Sequence, residues 1–214
     1  MTKYIFYAYT NLIGFTHAIR SRKDIIDLIL NIMNIENLSA IKGKEDVTII
    51  FCVSKMSRIF IYKNIDNIHS FQLPFILKYN NKKLEACYPK HIFHVNSLSL
   101  SILKSFFNRI NITNASLDDI VEIFFNTMDD HDYNINKSDY QHYWGIIMLL
   151  LTFEPGYLRY DYDIQRENVN HPEYHIDFNY SQNTTFKLGL HKKLSCQEFI
   201  NLVDIKNNGI FFIE

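Results

Sequence analysis

Three short segments near the C-terminus alternate apolar and polar residues so regularly that they read as strands with one greasy and one polar face. They are Tyr157–Asp163 (YLRYDYD), Tyr174–Tyr180 (YHIDFNY) and Thr184–Leu190 (TTFKLGL). Side chains alternate across a strand with period two. Leu158, Tyr160 and Tyr162 therefore share a face, as do Ile176 and Phe178, and Phe186 and Leu188. The other face carries Arg159, Asp161, Asp163, His175, Asp177, Lys187 and His191. An antiparallel meander would gather these polar groups, with His171-Pro172 at the mouth. The greasy face is expected to pack on the apolar helix at Tyr140–Phe153.

The remaining pattern is that of an α+β chain. The expected fold is a mixed or antiparallel sheet with helices packed on one face and a three-strand antiparallel meander at the C-terminus. Strands are expected at Lys3–Tyr9, Val47–Val53, Arg58–Lys63, Leu73–Tyr79 and Leu84–Val95, with Asn80-Asn81 as a turn. Ser21 caps a helix to about Ile35. Helices follow at Leu98–Ile110, from Ser116-x-x-Asp119 to Met128, and from Ser138-x-x-Gln141 to Phe153. Ser195-x-x-Glu198 caps a last helix, and Gly209–Ile213 reads as a closing strand. No composition shift marks a boundary. The expectation is one α+β domain over 1–214, with a strand-rich half 1–96, central helices 97–154 and a motif-bearing sheet 155–214.

Composition narrows the function. The 214 residues, 47% hydrophobic with 17 Phe and 14 Tyr, can fill a sizeable core. The formal net charge of −1 lacks the basic excess of a protein that coats nucleic acid. Contact with nucleic acid would have to be local. The odd set Cys52, Cys87 and Cys196 shows no metal-type spacing and reads as buried thiols of a reducing compartment. The most apolar run, Ile146–Phe153, is far too short to span a bilayer. With no signal peptide in view, the expected location is the cytoplasm.

The polar face of the three strands holds the ingredients of acid–base chemistry on a phosphate ester. An imidazole such as His175 or His171 titrates near neutrality and serves as acid or base. Asp161 could orient it, and Arg159 and Lys187 could stabilise charge on a phosphoryl oxygen. The alternative use of the same groups is a divalent metal on Asp161, Asp163 and Asp177, with His175 as a nitrogen ligand. The nuclease pattern of an acidic residue followed two positions later by lysine is absent, which favours the metal-free form and no cofactor. The plain alternative is a polar sheet face laced by ordinary cross-strand ion pairs.

Other motifs carry less. His91-x-x-His94 has metal-like spacing only on a helix, and the segment reads as extended. Arg20–Lys23 (RSRK) and His191-Lys192-Lys193 are small basic clusters. Asp129–Asn136 resembles a calcium loop in composition but lacks its glycine and terminal glutamate. Tyr140, Trp144 and Met148 fall at helical spacing and read as core. Neither a glycine-rich phosphate loop nor a serine nucleophile elbow is present.

The order Arg159-x-Asp161-x-Asp163, then His171-Pro172-x-x-His175, resembles the R-x-D-x-D…H-P-x-x-H core of an uncharacterised bacterial family of unknown function, whose genes often sit near phage-defence loci. It is also similar to small toxins of toxin–antitoxin pairs. The resemblance covers about Pro155–Asp204, and Asp177 stands where a further histidine is usual. It implies a subunit of an anti-phage defence complex, partnered by an ATPase or nuclease of the same operon. The alternative implied is a toxin-like ribonuclease or phosphodiesterase using His175, Arg159, Asp161, Lys187 and His171.

Overall fold

The computed structural model describes residues 2–15, 19–34, 38–53, 57–80, 83–88, 91–93, 96–131, 136–181, 183–204 and 207. The expected closing strand Gly209–Ile213, His94, Asn81 and the centre of the Asp129–Asn136 loop lie outside the described residues. The strands are β1 (Thr2–Ala8), β2 (Val47–Val53), β3 (Arg58–Tyr62), β4 (Asn67–Gln72), β5 (Ile76–Asn80), β6 (Lys83–Tyr88), β7 (His91–Phe93), β8 (Leu158–Tyr162), β9 (Tyr174–Phe178) and β10 (Phe186–Gly189). The helices are α1 (Thr10–Ile13), α2 (Arg22–Ile32), α3 (Ser97–Arg109), α4 (Leu117–Asp130), α5 (Tyr140–Thr152) and α6 (Cys196–Leu202). The chain is α+β, as its sequence pattern implies.

Two compact units emerge. The first comprises Met1–Tyr7, Ala40–Gln72 and Gly156–Glu214, and the second Ala8–Ser39 and Leu73–Pro155. The first unit is built on a seven-stranded sheet of order β1-β2-β3-β4-β8-β9-β10. Every pairing from β2 to β10 is antiparallel, and β8, β9 and β10 form the expected meander. β4, a strand the sequence pattern does not single out, thus joins directly to β8 from the other end of the chain. The register aligns Asn67 with Asp161 and His69 with Arg159.

One face of this sheet is apolar and carries Ile50, Phe60, Ile68, Tyr160 and Ile176. Within this unit its cover is α6, through Phe199 and Ile200; the Tyr140–Phe153 helix belongs to the second unit. Phe199 meets Phe60 edge to face at 5.9 Å and Tyr160 at the same distance. The Ser195–Glu198 capping box forms and starts α6 at the right point. The Leu194 amide donates to the Tyr160 hydroxyl at 3.0 Å, tying the helix entry to β8. Cys52 lies in this core, where burial pushes its thiol up to about 11.

The second unit packs α3 against α2 and α4 and carries the separate antiparallel sheet β5-β6-β7. Ser21, Asn96 and Ser116 all form capping boxes. A 3₁₀ turn, Lys137–Asp139, precedes α5, so the helix begins after Asp139 rather than after Ser138, and Asp139 makes no side-chain cap bond. At the other end of α5, the Arg22 guanidinium donates to the Leu151 carbonyl at 3.1 Å and also to the Phe153 carbonyl, satisfying acceptors the helix end leaves open. Tyr140, Trp144 and Met148 are half-buried rather than core.

Candidate functional site

The polar face of β8–β10 is assembled as two rungs. In one, His69, Arg159, Asp177 and Lys187 stand side by side across four strands; in the next, Asn67, Asp161, His175 and Gly189 do so. The β9–β10 turn fixes this alignment. Asn179 adopts φ +70, and its side chain accepts from the Tyr180 amide at 2.7 Å and donates to the Thr184 hydroxyl at 2.7 Å. Asparagine tolerates the left-handed region better than most residues because its short amide bonds locally.

Gly189 has a steric reason. A Cβ there would sit 3.0 Å from Cγ of Pro172, so glycine lets the His171-Pro172 loop close over the strand. Closure places the Pro172 carbonyl 2.7 Å from Nδ1 of His175. A carbonyl only accepts, so the partners assign the proton to Nδ1. Nε2 then accepts from the Lys187 ammonium at 2.9 Å. Lys187 also donates to Asp177 at 2.8 Å. His175 is 0% exposed and Asp177 4%.

Arg159 bridges the carboxylates. Its Nε donates to Asp161 at 2.7 Å and its Nη2 to Asp177. Asn67 also donates to Asp161, while His175 Nε2 lies 3.5 Å from the same carboxylate. Burial pushes the Asp161 carboxyl up, but the Arg159 guanidinium bonded to it outweighs that and holds it below the usual carboxylate range. Burial alone would lower the Arg159 guanidinium; Asp161 heads the groups that raise it above its ordinary value. Two carboxylates and two cations leave the cluster electrically balanced, as buried charge requires.

His69, supplied by β4, was not anticipated as part of this face. It shares a hydrogen bond with the Tyr157 hydroxyl at 2.8 Å, and burial, aided by Arg159, lowers its pKa to about 3. It is therefore neutral at physiological pH.

The structure brings together Arg159, Asp161, His175, Asp177 and Lys187. Asp161, His175 and Asp177 each offer a ligand atom within 4.8 Å of the others, a metal-like grouping. Arg159 and Lys187 already occupy those oxygens and Nε2 of His175, so a cation would have to displace both. Asp163 stands apart from this trio, just beyond the end of β8, 3.5 Å from Nε2 of His171 and 3.8 Å from Arg166. The His171 ring meets the His175 ring edge-on at 4.6 Å, and its side chain keeps 21% of its surface exposed. Its pKa is lowered by burial first, then by Lys187 and His175. His191 lies past the end of β10 and is exposed.

No family model, curated protein or solved structure matches this chain. No helix among the described residues is long and apolar enough to cross a membrane. The functional reading therefore rests on the chemistry of these side chains.

Proposed function

We propose that this protein is a non-catalytic, protein-binding subunit, and that its Arg159–Asp161–His175–Asp177–Lys187 cluster is a closed network that holds β8, β9 and β10 in register. The observation carrying this is His175: it has no exposed surface, and both its ring nitrogens are engaged. A general base must reach its substrate's proton, directly or through one water. A divalent metal is not needed to balance the carboxylates, since Arg159 and Lys187 do so. The near-neutral charge and many aromatic residues suit burial against other proteins. The setting in anti-phage defence, with an ATPase or nuclease as companion, rests on the R-x-D-x-D…H-P-x-x-H resemblance. Expression together with the neighbouring gene products tests it: stable co-purification supports the reading, and a monomer that associates with none of them opposes it.

A second reading is favoured by one residue. The His171 side chain keeps part of its surface exposed, burial lowers its pKa, and its Nε2 lies 3.5 Å from Asp163, an arrangement suited to a metal-free ribonuclease or phosphodiesterase base. Cleavage of RNA or DNA by the purified protein, abolished in a folded His171→Ala variant, would establish it.

A further inference from the structure

The second unit holds an apolar hollow of about 290 Å³ that the cluster on β8–β10 does not use. Its wall includes Val121, Phe124 and Phe125 of α4, and Tyr140, Gln141 and Trp144 of α5. Phe124 is the buried floor, with Trp144 edge-on at 5.1 Å and Tyr140 at 6.2 Å. Leu117, Val121 and Phe125 recur every fourth residue along α4, and Leu117 and Phe125 are 64% and 52% exposed. Such spacing makes one apolar stripe on a helix.

Two further observations say what covers it. The first is charge. Exposed Asp118 and Glu122 run beside the stripe, and exposed Asp129 continues its line, while neither α4 nor α5 contains a lysine or arginine. Asp119 is used in the Ser116 capping box, and Asp130 pairs with Arg109, so those two acids are spoken for. The second is Gly145, in the middle of α5 and one turn beyond Gln141. Among the described residues, a Cβ there would meet nothing within 4 Å. Glycine inside a helix is costly relative to alanine, and no packing among the described residues requires it here. A small residue at such a point lets another backbone approach closely.

We propose that this hollow receives an amphipathic, basic helix of a partner protein, its apolar side chains seated against Phe124, Phe125 and Trp144 and its lysines or arginines facing Asp118, Glu122 and Asp129. The inference rests on the protein-binding reading and gives that reading a surface. Helix-in-groove recognition uses anchors of this kind, and acidic rims choose basic partners.

Trp144 is the chain's single tryptophan, so its fluorescence reports on the hollow directly. The probe is a short amphipathic Leu/Lys helical peptide, compared with one in which every lysine is glutamate. The Leu/Lys peptide is expected to shift Trp144 emission to the blue, with the Leu/Glu peptide binding about tenfold more weakly or worse. Gly145→Leu, checked for folding by circular dichroism, is expected to lose at least about tenfold in affinity, and Gly145→Ala a smaller part of it. Unchanged Trp144 emission, equal binding of both peptides, or full affinity in Gly145→Leu would overturn the proposal. So would a Trp144 shift on self-association without peptide, which would make the occupant a second copy. Neighbouring gene products that co-purify equally with wild type and Gly145→Leu would overturn the groove and leave the protein-binding reading standing; failure of any neighbour to co-purify would count against that reading itself.

Discussion

Lys187 donates its ammonium to Nε2 of His175 at 2.9 Å, from the strand next to it in the sheet. That one bond engages the imidazole nitrogen a catalyst would need free. It also joins β9 to β10 through side chains as well as through the backbone ladder. With the carboxylates of Asp161 and Asp177 beside it, the pair forms the centre of the closed network.

Lys187→Met keeps most of the side chain's bulk and removes its charge. Asp177 and the His175 nitrogen are then left buried with less compensation, and breaking a buried pair from one side costs about 3 kcal/mol. Urea unfolding of the two proteins measures it. A loss near zero would mean the pair is a solvated surface contact.

Stability should fall with acid in a defined window. The His69 pKa drops from 6.5 to about 3 in the folded protein because of burial. Between those values the unfolded chain binds the extra proton and the folded protein does not, so stability rises with pH there. It is fully present above pH 6.5 and lost progressively towards pH 3, on the order of 5 kcal/mol in all. Asp161, held below its ordinary value, adds to the loss as pH falls through the lower carboxylate range. Unfolding curves from about pH 7 to about pH 4 should therefore slope steeply for wild type and less for His69→Gln.

Much of the cluster is legible in the sequence. The period-two pattern of the last three strands places Arg159, Asp161, His175, Asp177 and Lys187 on one face, and the register bears that grouping out. Asn67 and His69 escape it because Asn67–Gln72 (NIHSFQ) mixes polar residues onto both faces: Ser70 points to the apolar side, where it accepts from Arg58 at 3.0 Å. No local period encodes the pairing of β4 with β8 across some ninety intervening residues. Asp163 falls out of the metal-like trio because β8 ends at Tyr162, a boundary that alternation alone does not set. The role of α6 is hard to read for a related reason: the long apolar run at Tyr140–Phe153 outweighs this short helix in the sequence, yet Phe199 and Ile200 lie in the core of the apolar face.

Phe199→Ala tests that cover. The ring is fully buried between Phe60 and Tyr160, and truncating such a phenylalanine costs about 3–5 kcal/mol. A loss under about 1 kcal/mol in denaturant titration would place the sheet's main support elsewhere.

Divalent cations should leave the folded protein unchanged. Zn²⁺ or Mn²⁺ would have to displace Arg159 and Lys187 from Asp161, His175 and Asp177. Neither ion, nor EDTA, is expected to move the melting temperature. A rise that grows with ion concentration would mark a true metal site, since a ligand that binds only the folded state stabilises it by mass action.

The most direct test of the central claim is a cleavage assay on the purified protein. Labelled single-stranded RNA and DNA are incubated with wild type and with His171→Ala, from about pH 5 to about pH 8, the range in which an imidazole base would titrate. The closed network predicts no turnover above buffer in either. Cleavage by wild type that disappears in a folded His171→Ala protein would contradict it and make the His171–Asp163 pair a catalytic site.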